Sequence, residues 1–433
     1  MATAAFYTLG CKVNQTETAA LEELLQRSGY RLVSFEEHAD VYVINTCTVT
    51  HLSDRKSRQM IRRARRKNPE AVIVVTGCYA QVSAEDLFKI PEVDLIIGTH
   101  ARDQLPALIE RAKAERINYV VPLSEKRRFE ALEAAQSQGR TRAFLKVQEG
   151  CRQFCTYCIV PYARGPIFSR PPAEAVQAAK KLAQQGYREL VLTGVHLGSY
   201  GEDLDGKINL CYLLRELVQV EGLERIRISS IEPTEVTPAL LELMLQEEKI
   251  CQHLHLPLQS GDDEILRRMN RRYTAQDYLR IVSWLRSHLP DLALTTDVMV
   301  GFPGETQAQF ENTVKVVREA AFSRLHVFKY SPRHGTPAAK FPHQVPAAMK
   351  NERSQVLTAV GQELAATYHQ RFASKIVDVL FEEAHGGEIS GFTEHYVRVF
   401  ATGSEEHLGK ILPVFITASS ADGLKGEIKQ TKN

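Results

Sequence analysis

The most chemically informative feature of the sequence is a group of three closely spaced cysteines. Cys151, Cys155 and Cys158 follow the pattern Cys-x3-Cys-x2-Cys directly after a predicted strand. Three thiolates this close together can face one metal centre, whereas a structural zinc site normally has four protein ligands. We therefore predict a [4Fe–4S] cluster with one iron left open to a small molecule, since cysteine thiolates hold such clusters. Zinc, or a group of thiols without a metal, is the alternative.

A second set of three cysteines is spread along the N-terminal part of the chain. Cys11, Cys47 and Cys78 each follow a predicted strand, and they are separated by 36 and 31 residues. Doubly wound folds build their sites at the carboxyl ends of parallel strands. We therefore expect the fold to bring these thiols together around a second cluster with an open iron. The alternative is three buried, inert cysteines, which are common in proteins.

The composition limits the class of protein that carries these cysteines. The chain has 433 residues, of which 44% are hydrophobic and 24% charged, so wholesale disorder is excluded. The net charge is +2, so a nucleic-acid partner would have to contact local basic patches. No apolar stretch approaches the ~18 residues of a membrane span, and the N-terminus lacks a secretory pattern. We expect a cytoplasmic protein, in which cysteines favour metal binding or catalysis over disulfides.

The elements that must position the cysteines form an α/β chain with three regions. Residues 1–123 alternate strand and helix patterns, which predicts a parallel, doubly wound sheet. Residues 124–142 are polar and are interpreted as a linker. Residues 143–370 contain six strand–helix units, which suggest a full or partial (β/α) barrel, and residues 371–433 predict a small β-barrel. The predicted strands of the last two regions are 143–148, 189–193, 225–229, 252–256, 293–300 and 324–328, followed by 376–381, 396–400 and 411–416.

A strongly basic segment lies within the first region. Residues 55–67, in a predicted helix, hold eight basic residues among thirteen and no acidic ones. We interpret them as candidate contacts with RNA phosphates, against the alternative of a solvated helix face. After Gln370 there are seven basic and nine acidic residues, so RNA binding there would need stacking on Phe392, Tyr396 or Phe400. The candidate residues of the basic segment are Arg55, Lys56, Arg58, Arg62, Arg63, Arg65 and Arg66.

Over nearly its whole length the chain resembles the radical S-adenosylmethionine (SAM) methylthiotransferases. The resemblance implies an N-terminal methylthiotransferase domain, a partial (β/α) barrel of the radical SAM type and a C-terminal TRAM-like barrel. The stretch Gly-Cys-Lys-Val-Asn-Gln at 10–15 resembles the branch that acts on N6-threonylcarbamoyladenosine. The matching stretches are Leu9-Gly-Cys-Lys-Val-Asn-Gln15, Asn45-Thr-Cys-Thr-Val49, Thr76-Gly-Cys78, residues 150–165 and residues 297–306.

The resemblance implies a radical reaction that inserts a methylthio group at C2 of N6-threonylcarbamoyladenosine at tRNA position 37, next to the anticodon. It implies two [4Fe–4S] clusters, a radical SAM cluster on Cys151, Cys155 and Cys158 and an auxiliary cluster on the N-terminal set. SAM at the open iron of the first would yield a 5′-deoxyadenosyl radical, and the second would carry the sulfur. The implied partners are the anticodon stem-loop of tRNA, SAM, an electron donor such as flavodoxin or ferredoxin and a sulfur donor, with no membrane.

Loops at the strand ends of the predicted barrel supply candidate contacts with SAM. A glycine at 194 would let the backbone approach a ligand closely, with a plain turn glycine as the alternative. The Arg271 guanidinium would match the cofactor carboxylate bidentately, or would be a solvated surface group. The candidates are Tyr157, Gly194, Ser229, Glu232, Gln259 and Arg271.

Three rival functions remain open from the sequence. Two are methylthiotransferases with other substrates, namely isopentenylated adenosine of tRNA and an aspartate of a ribosomal protein. The third is a non-enzymatic iron–sulfur or zinc protein that binds RNA.

Overall fold

The computed structural model describes residues 1–125, 129–130 and 141–429. Most of the predicted linker 124–142 and residues 430–433 therefore lie outside the described residues. Elements are numbered along the chain below.

The N-terminal region is a six-stranded parallel sheet in the order β2-β1-β3-β4-β5-β6. Two separate hydrophobic clusters lie on its two faces, which confirms the doubly wound arrangement. The sequence prediction missed β2 and β6, because these short strands lie at the two edges of the sheet and are only partly buried, so that they lack a continuous apolar run. The elements are β1 (Thr3–Thr8), α1 (Lys12–Arg27), β2 (Arg31–Val33), β3 (Val41–Thr46), α2 (His51–Lys67), β4 (Val72–Gly77), α3 (Cys78–Val82), α4 (Ala84–Phe88), β5 (Leu95–Ile97), α5 (Leu105–Ala112) and β6 (Ile117–Tyr119).

The central region contains all six predicted strand–helix units. Its parallel strands pair as β11-β10-β7 and as β12-β13-β14, and isolated bridges such as Ser230 to His255 connect β11 to β12. The strands are β7 (Arg142–Lys146), β8 (Gln148–Glu149), β9 (Phe168–Ser169), β10 (Glu189–Thr193), β11 (Arg225–Ile228), β12 (His253–His255), β13 (Ala293–Val300) and β14 (Arg324–Lys329). The helices are α6 (Val160–Arg164), α7 (Pro172–Gln184), α8 (Leu210–Val218), α9 (Pro238–Gln246), α10 (Asp263–Arg268), α11 (Ala275–His288), α12 (Gln307–Ala320) and α13 (Ala347–Gln370).

Local sequence explains where the helices of this region begin. The Thr274 hydroxyl accepts a hydrogen bond from the backbone N–H of Asp277, and Thr306 does the same for Gln309, so α11 and α12 both start with a capping box. Leucine, valine and isoleucine side chains then pack between the helices and the outer face of the strands in one large hydrophobic core. Alternate residues of each strand consequently face the inside of the barrel.

The C-terminal region is a closed five-stranded barrel in the order β15-β16-β17-β19-β18. The predicted barrel is confirmed, although the sequence missed two of its strands. The predicted strand 396–400 was wrong at its start, because Tyr396 has a φ of 60° and lies in a turn, so that β17 begins two residues later. The strands are β15 (Ile376–His385), β16 (Glu388–Thr393), β17 (Arg398–Thr402), β18 (Ile411–Ser420) and β19 (Gly423–Ile428).

Buried arginines join the regions to one another. Arg227 of β11 donates to the backbone carbonyls of Thr393 and Glu394, which fixes the β16–β17 turn against the (β/α) barrel. Arg333, after β14, donates to the hydroxyl of Thr48 at 2.6 Å and so ties the barrel to the N-terminal sheet. Among the described residues, no helix combines the length and apolar character required to cross a membrane.

Candidate active site

The N-terminal cysteines lie at the ends of three adjacent strands. Cys11 precedes α1 just beyond β1, Cys47 follows β3 and Cys78 follows β4, in sheet order β1-β3-β4. The predicted placement at strand ends is confirmed. Gly10 allows the close approach, since a Cβ there would lie 2.9 Å from the Cβ of Cys47, and its φ is 109°.

The side chain of Asn14 holds two of these strand ends together. Its Nδ2 donates to the carbonyls of Leu9 and Thr46, at 2.8 and 3.0 Å. Burial raises the pKa of the Cys78 thiol to about 11, and the neighbouring thiols of Cys11 and Cys47 contribute in the same direction. Metal binding at this set must therefore be coupled to the loss of protons from the thiols.

The second cysteine set occupies one loop after β7 and β8. Gly150 starts this loop with a φ of 80°, and a Cβ there would collide with the carbonyl oxygen of Pro166. Burial raises the pKa of the Cys158 thiol to about 12, and Cys155 and Cys151 lie close enough to raise it further. The three thiols are therefore neighbours in space as well as in sequence.

The donor chemistry of both sets fits an iron–sulfur cluster. Each set offers three thiols, the ligands that such clusters use. In the described part of the chain, no three His, Cys, Asp or Glu side chains are grouped as the ligands of one metal ion. A cubane cluster does not require such convergence, because each thiolate binds a different iron.

Arg164 joins the two cysteine sets. It ends α6, which follows the cysteine loop, and it is 1% exposed. Its Nε donates to the sulfur of Cys78 at 3.2 Å, and a terminal nitrogen donates to Oδ1 of Asn14 at 2.7 Å. A guanidinium from the (β/α) barrel thus contacts the N-terminal set directly.

Glu17 lies at the centre of a buried ion network around Arg164. Its carboxylate pairs with Arg164, with Arg102 at 2.8 Å and with Lys146 at 2.7 Å. Burial alone would raise the pKa of Glu17, but the three cations hold it well below its usual range. Glu149 adds a second carboxylate, 3.1 Å from Arg164. Sequence reasoning missed this network, because its members come from separate parts of the chain.

Arg271 and Glu232, two candidate SAM contacts, bind each other. The Arg271 guanidinium makes a bidentate contact with the Glu232 carboxylate, in which Nη1 donates to Oε1 at 3.2 Å and Nη2 donates to Oε2. The guanidinium also lies 3.4 Å from the sulfur of Cys155. Its side chain is only 4% exposed, so the alternative of a solvated surface arginine is wrong. Contact of either residue with SAM stays a prediction.

The other candidate SAM contacts have structural roles of their own. A Cβ at Gly194 would lie 2.9 Å from Oε1 of Gln148, so close packing explains the glycine there. Gln259 has a φ of 63°, and its carbonyl accepts from the N–H of Met299. Tyr157 packs against a small hydrophobic cluster, and Ser229 is buried just beyond β11. Their cofactor contacts also stay predictions.

His196 is a polar residue near the cysteine loop that sequence reasoning missed. Its Nε2 lies 2.6 Å from Oε1 of Glu235. Burial lowers the pKa of His196, but its hydrogen bonds with Cys151 and Glu235 outweigh burial and raise it to about 10. The signal in the sequence was its position two residues after Gly194 at a strand end.

The basic helix α2 divides into structural and exposed cations. The Arg65 guanidinium donates to Asp94 at 2.6 Å and to three backbone carbonyls, and so it fastens the end of the helix, while its contact with RNA stays a prediction. Arg63 pairs with Glu36, and Arg58 donates to the Tyr79 hydroxyl. The exposed members, which stay candidates for RNA binding, are Arg55, Lys56, Arg62 and Arg66.

The fold and the cysteine loop define a radical SAM protein. The family model described as the Radical SAM superfamily matches residues 145–317, and the Uncharacterized protein family UPF0004 matches residues 3–98. The radical SAM methyltransferase TsrM from Kitasatospora setae has a similar fold, with a TM-score of 0.56 at 16% identity over 78% of this chain and 74% of that chain. OxsB, a cobalamin-dependent SAM radical enzyme, has a TM-score of 0.53 at 11% identity, covering 85% of this chain and 56% of that chain.

Curated relatives match nearly the full chain. The threonylcarbamoyladenosine tRNA methylthiotransferase MtaB of Bacillus subtilis is 47% identical over 96% of this chain and 94% of its own length. The MtaB protein of Aquifex aeolicus is 41% identical over 95% of this chain and 99% of its own length. A tRNA-2-methylthio-N(6)-dimethylallyladenosine synthase of Clostridium novyi is 37% identical over 97% of this chain and 95% of its own length. This chain belongs to the radical SAM methylthiotransferase family, and its superfamily implies a [4Fe–4S] cluster and SAM as cofactors.

Proposed function

We propose that this protein is a tRNA methylthiotransferase that converts N6-threonylcarbamoyladenosine, next to the anticodon, into its 2-methylthio derivative. The observation that supports this most is the contact of Arg164 with Cys78, because it joins the helix that follows the cysteine loop to the N-terminal cysteine set. Insertion of sulfur at an unactivated carbon needs a radical source and a sulfur source that act on the same atom. The identity of 47% with an MtaB protein supports this choice of substrate.

We further propose that each cysteine set holds a [4Fe–4S] cluster. When bound, the cluster on Cys151, Cys155 and Cys158 with SAM supplies the radical chemistry, and the auxiliary cluster on Cys11, Cys47 and Cys78 supplies sulfur. The chain itself provides position and exclusion of water. Glu17, which pairs with three cations from different parts of the chain, would hold the N-terminal sheet in place against the barrel.

The remaining assignments concern partners and organisation. The exposed cations Arg55, Lys56, Arg62 and Arg66 would contact the phosphates of the anticodon stem-loop. Electrons would come from a flavodoxin- or ferredoxin-type donor, and a separate sulfur donor would renew the auxiliary cluster. The protein would act in the cytoplasm. Its domains would be 1–123, 143–370 and 371–433, with 124–142 as the linker between the first two.

The test is a comparison of substrates under reducing, oxygen-free conditions. The reconstituted enzyme is given SAM with stem-loops that carry either N6-threonylcarbamoyladenosine or isopentenylated adenosine, and separately with ribosomes. We expect only the first RNA to gain the mass of SCH3 minus hydrogen, and Cys155→Ala to abolish SAM cleavage. Methylthiolation of the isopentenylated RNA or of a ribosomal protein would assign the other substrates. SAM cleavage that survives in Cys155→Ala would reject the radical assignment.

A further inference from the structure

The residue directly after Cys11 extends into the inside of the (β/α) barrel. The ammonium of Lys12 lies 5.9 Å from the centroid of the Tyr396 ring. That ring also lies 4.8 Å from the guanidinium carbon of Arg227 and 5.1 Å from that of Arg142. The ring of His253 on β12 is 5.1 Å away. Residues of β7, β11 and β12 therefore surround the same tyrosine as Lys12.

The alternation of side chains identifies this place as the barrel interior. Ile226 and Ile228 of β11 and Leu254 of β12 pack in the helix-side core. Arg227 and His253, which alternate with them, must point the other way. Tyr396, from the β16–β17 turn, closes this end of the interior, and Lys12 reaches it from the N-terminal sheet.

Lys12 is a half-buried cation that has no counterion in the described part of the chain. Within residues 1–125, 129–130 and 141–429, no carboxylate lies within ion-pair distance of its ammonium. The nearby carboxylates are committed elsewhere, Glu189 to Arg227 at 2.7 Å and Glu382 to Arg142 at 2.5 Å. The ammonium of Lys12 is partly desolvated and lies near the guanidinium groups of Arg142 and Arg227. Its charge is therefore energetically unfavourable there unless an anion binds beside it. The charge of the interior at Lys12 therefore complements an anionic ligand.

The side chains that line the barrel interior beside Tyr396 are polar. His253 and His255 both share a hydrogen bond with the Thr295 hydroxyl, at 3.0 and 2.9 Å. Nε2 of His255 lies 3.3 Å from Oδ1 of Asp297, and its ring is 6.0 Å from that of His326. Such a lining suits a ligand with hydroxyl and amide groups, and it is unsuited to an aliphatic chain.

We propose that Lys12 is a specificity-determining residue that binds the carboxylate of the threonyl group of N6-threonylcarbamoyladenosine inside the barrel. This rests on the proposed function. The threonylcarbamoyl group carries one carboxylate and one hydroxyl, whereas an isopentenyl group carries neither. A bound isopentenyl group would leave the ammonium of Lys12 without a partner, and a site with an unpartnered buried polar group rejects its ligand strongly. The position next to Cys11 places this discrimination close to the proposed auxiliary cluster.

The experiment measures equilibrium binding rather than turnover. The full-length, reconstituted protein without SAM is titrated with three anticodon stem-loops of one sequence, which carry the threonylcarbamoyl group, its methyl ester or isopentenylated adenosine. A charge-assisted hydrogen bond predicts that the wild type binds the free acid roughly ten- to a hundredfold more tightly than the ester. Lys12→Gln should bind acid and ester equally, and Lys12→Arg should retain most of the preference.

Arg27→Gln is the matched control, because it removes one positive charge from the exposed end of the same helix. It should leave the preference for the acid unchanged. The proposal would be overturned if the wild type bound acid and ester equally, a result that needs no variant to fold. It would also be overturned if Lys12→Gln kept the full preference. Failure of the proposed function looks different, since the wild type would then not methylthiolate the free-acid RNA at all.

Discussion

The two cysteine sets are held in place by different kinds of structure. Cys151, Cys155 and Cys158 belong to one loop, whose path depends on Gly150 and its close contact with Pro166. The N-terminal thiols instead depend on the register of three parallel strands and on Asn14, which bridges two of them. A loop set can keep its geometry while distant parts of the fold move. A strand-end set has its geometry only when the sheet and its packing are intact.

The largest expected effect separates the two sets by metal content. Combining Cys151→Ala, Cys155→Ala and Cys158→Ala should reduce iron from about eight to about four atoms per chain after anaerobic reconstitution, if each set holds the proposed four-iron cluster. Iron and acid-labile sulfide are measured together. A fall from about four to none would mean that the N-terminal set holds no cluster, and it would remove the proposed sulfur source.

The next effect tests what joins the two sets. Glu17→Ala leaves Arg164, Arg102 and Lys146 buried without their shared carboxylate, which should lower the free energy of unfolding by about 3–5 kcal/mol. Denaturant unfolding of the metal-free protein measures it. Glu36→Ala, which removes the exposed partner of Arg63, should change the free energy of unfolding far less, because solvent screens an exposed ion pair. Equal losses in both variants would show that the network does not hold the sheet against the barrel.

A smaller effect should fall on one set alone. Gly10→Ala introduces a Cβ 2.9 Å from that of Cys47 at a φ of 109°, so it should lower iron at the N-terminal set and spare the cysteine loop. Cluster content is measured in two backgrounds, one that lacks the loop cysteines and one that lacks the N-terminal cysteines. Gly29→Ala is the matched control, since its φ is 90° and no atom of the described residues lies within 4 Å of the added Cβ. If the control lost as much iron, backbone strain rather than crowding at Cys47 would be the cause.

The smallest expected effect is on RNA binding, and it should leave both cysteine sets unchanged. Arg62→Gln and Arg66→Gln on the exposed side of α2 should each weaken binding of the stem-loop and reduce the slope of log K against log salt by about 0.7–0.9, as expected for one lost phosphate contact. Binding titrations at several salt concentrations measure this slope. An unchanged slope in the double variant would mean that α2 is only a solvated basic face.

Local pattern was enough for much of the fold. All six barrel strands were predicted because each is a short apolar or alternating run between clear helical patterns. The strands β2 and β6, of three residues each, gave no such signal. The basic segment was recognised as a helix, but its sequence did not distinguish Arg65, which fastens the helix end, from the exposed Arg62 and Arg66. That difference depends on Asp94, which lies on a neighbouring strand.

The sequence by itself determined the loop set of cysteines, the three-part architecture and the family, because spacing and periodicity are local properties. Only the tertiary structure decided that Arg164 contacts Cys78, that Glu17 pairs with three cations and that Lys12 has no counterion among the described residues. These facts depend on contacts between residues such as Glu17 and Arg164, which are 147 positions apart. Such contacts arise from the packing of one region against another, and local sequence patterns do not show which buried charges will meet.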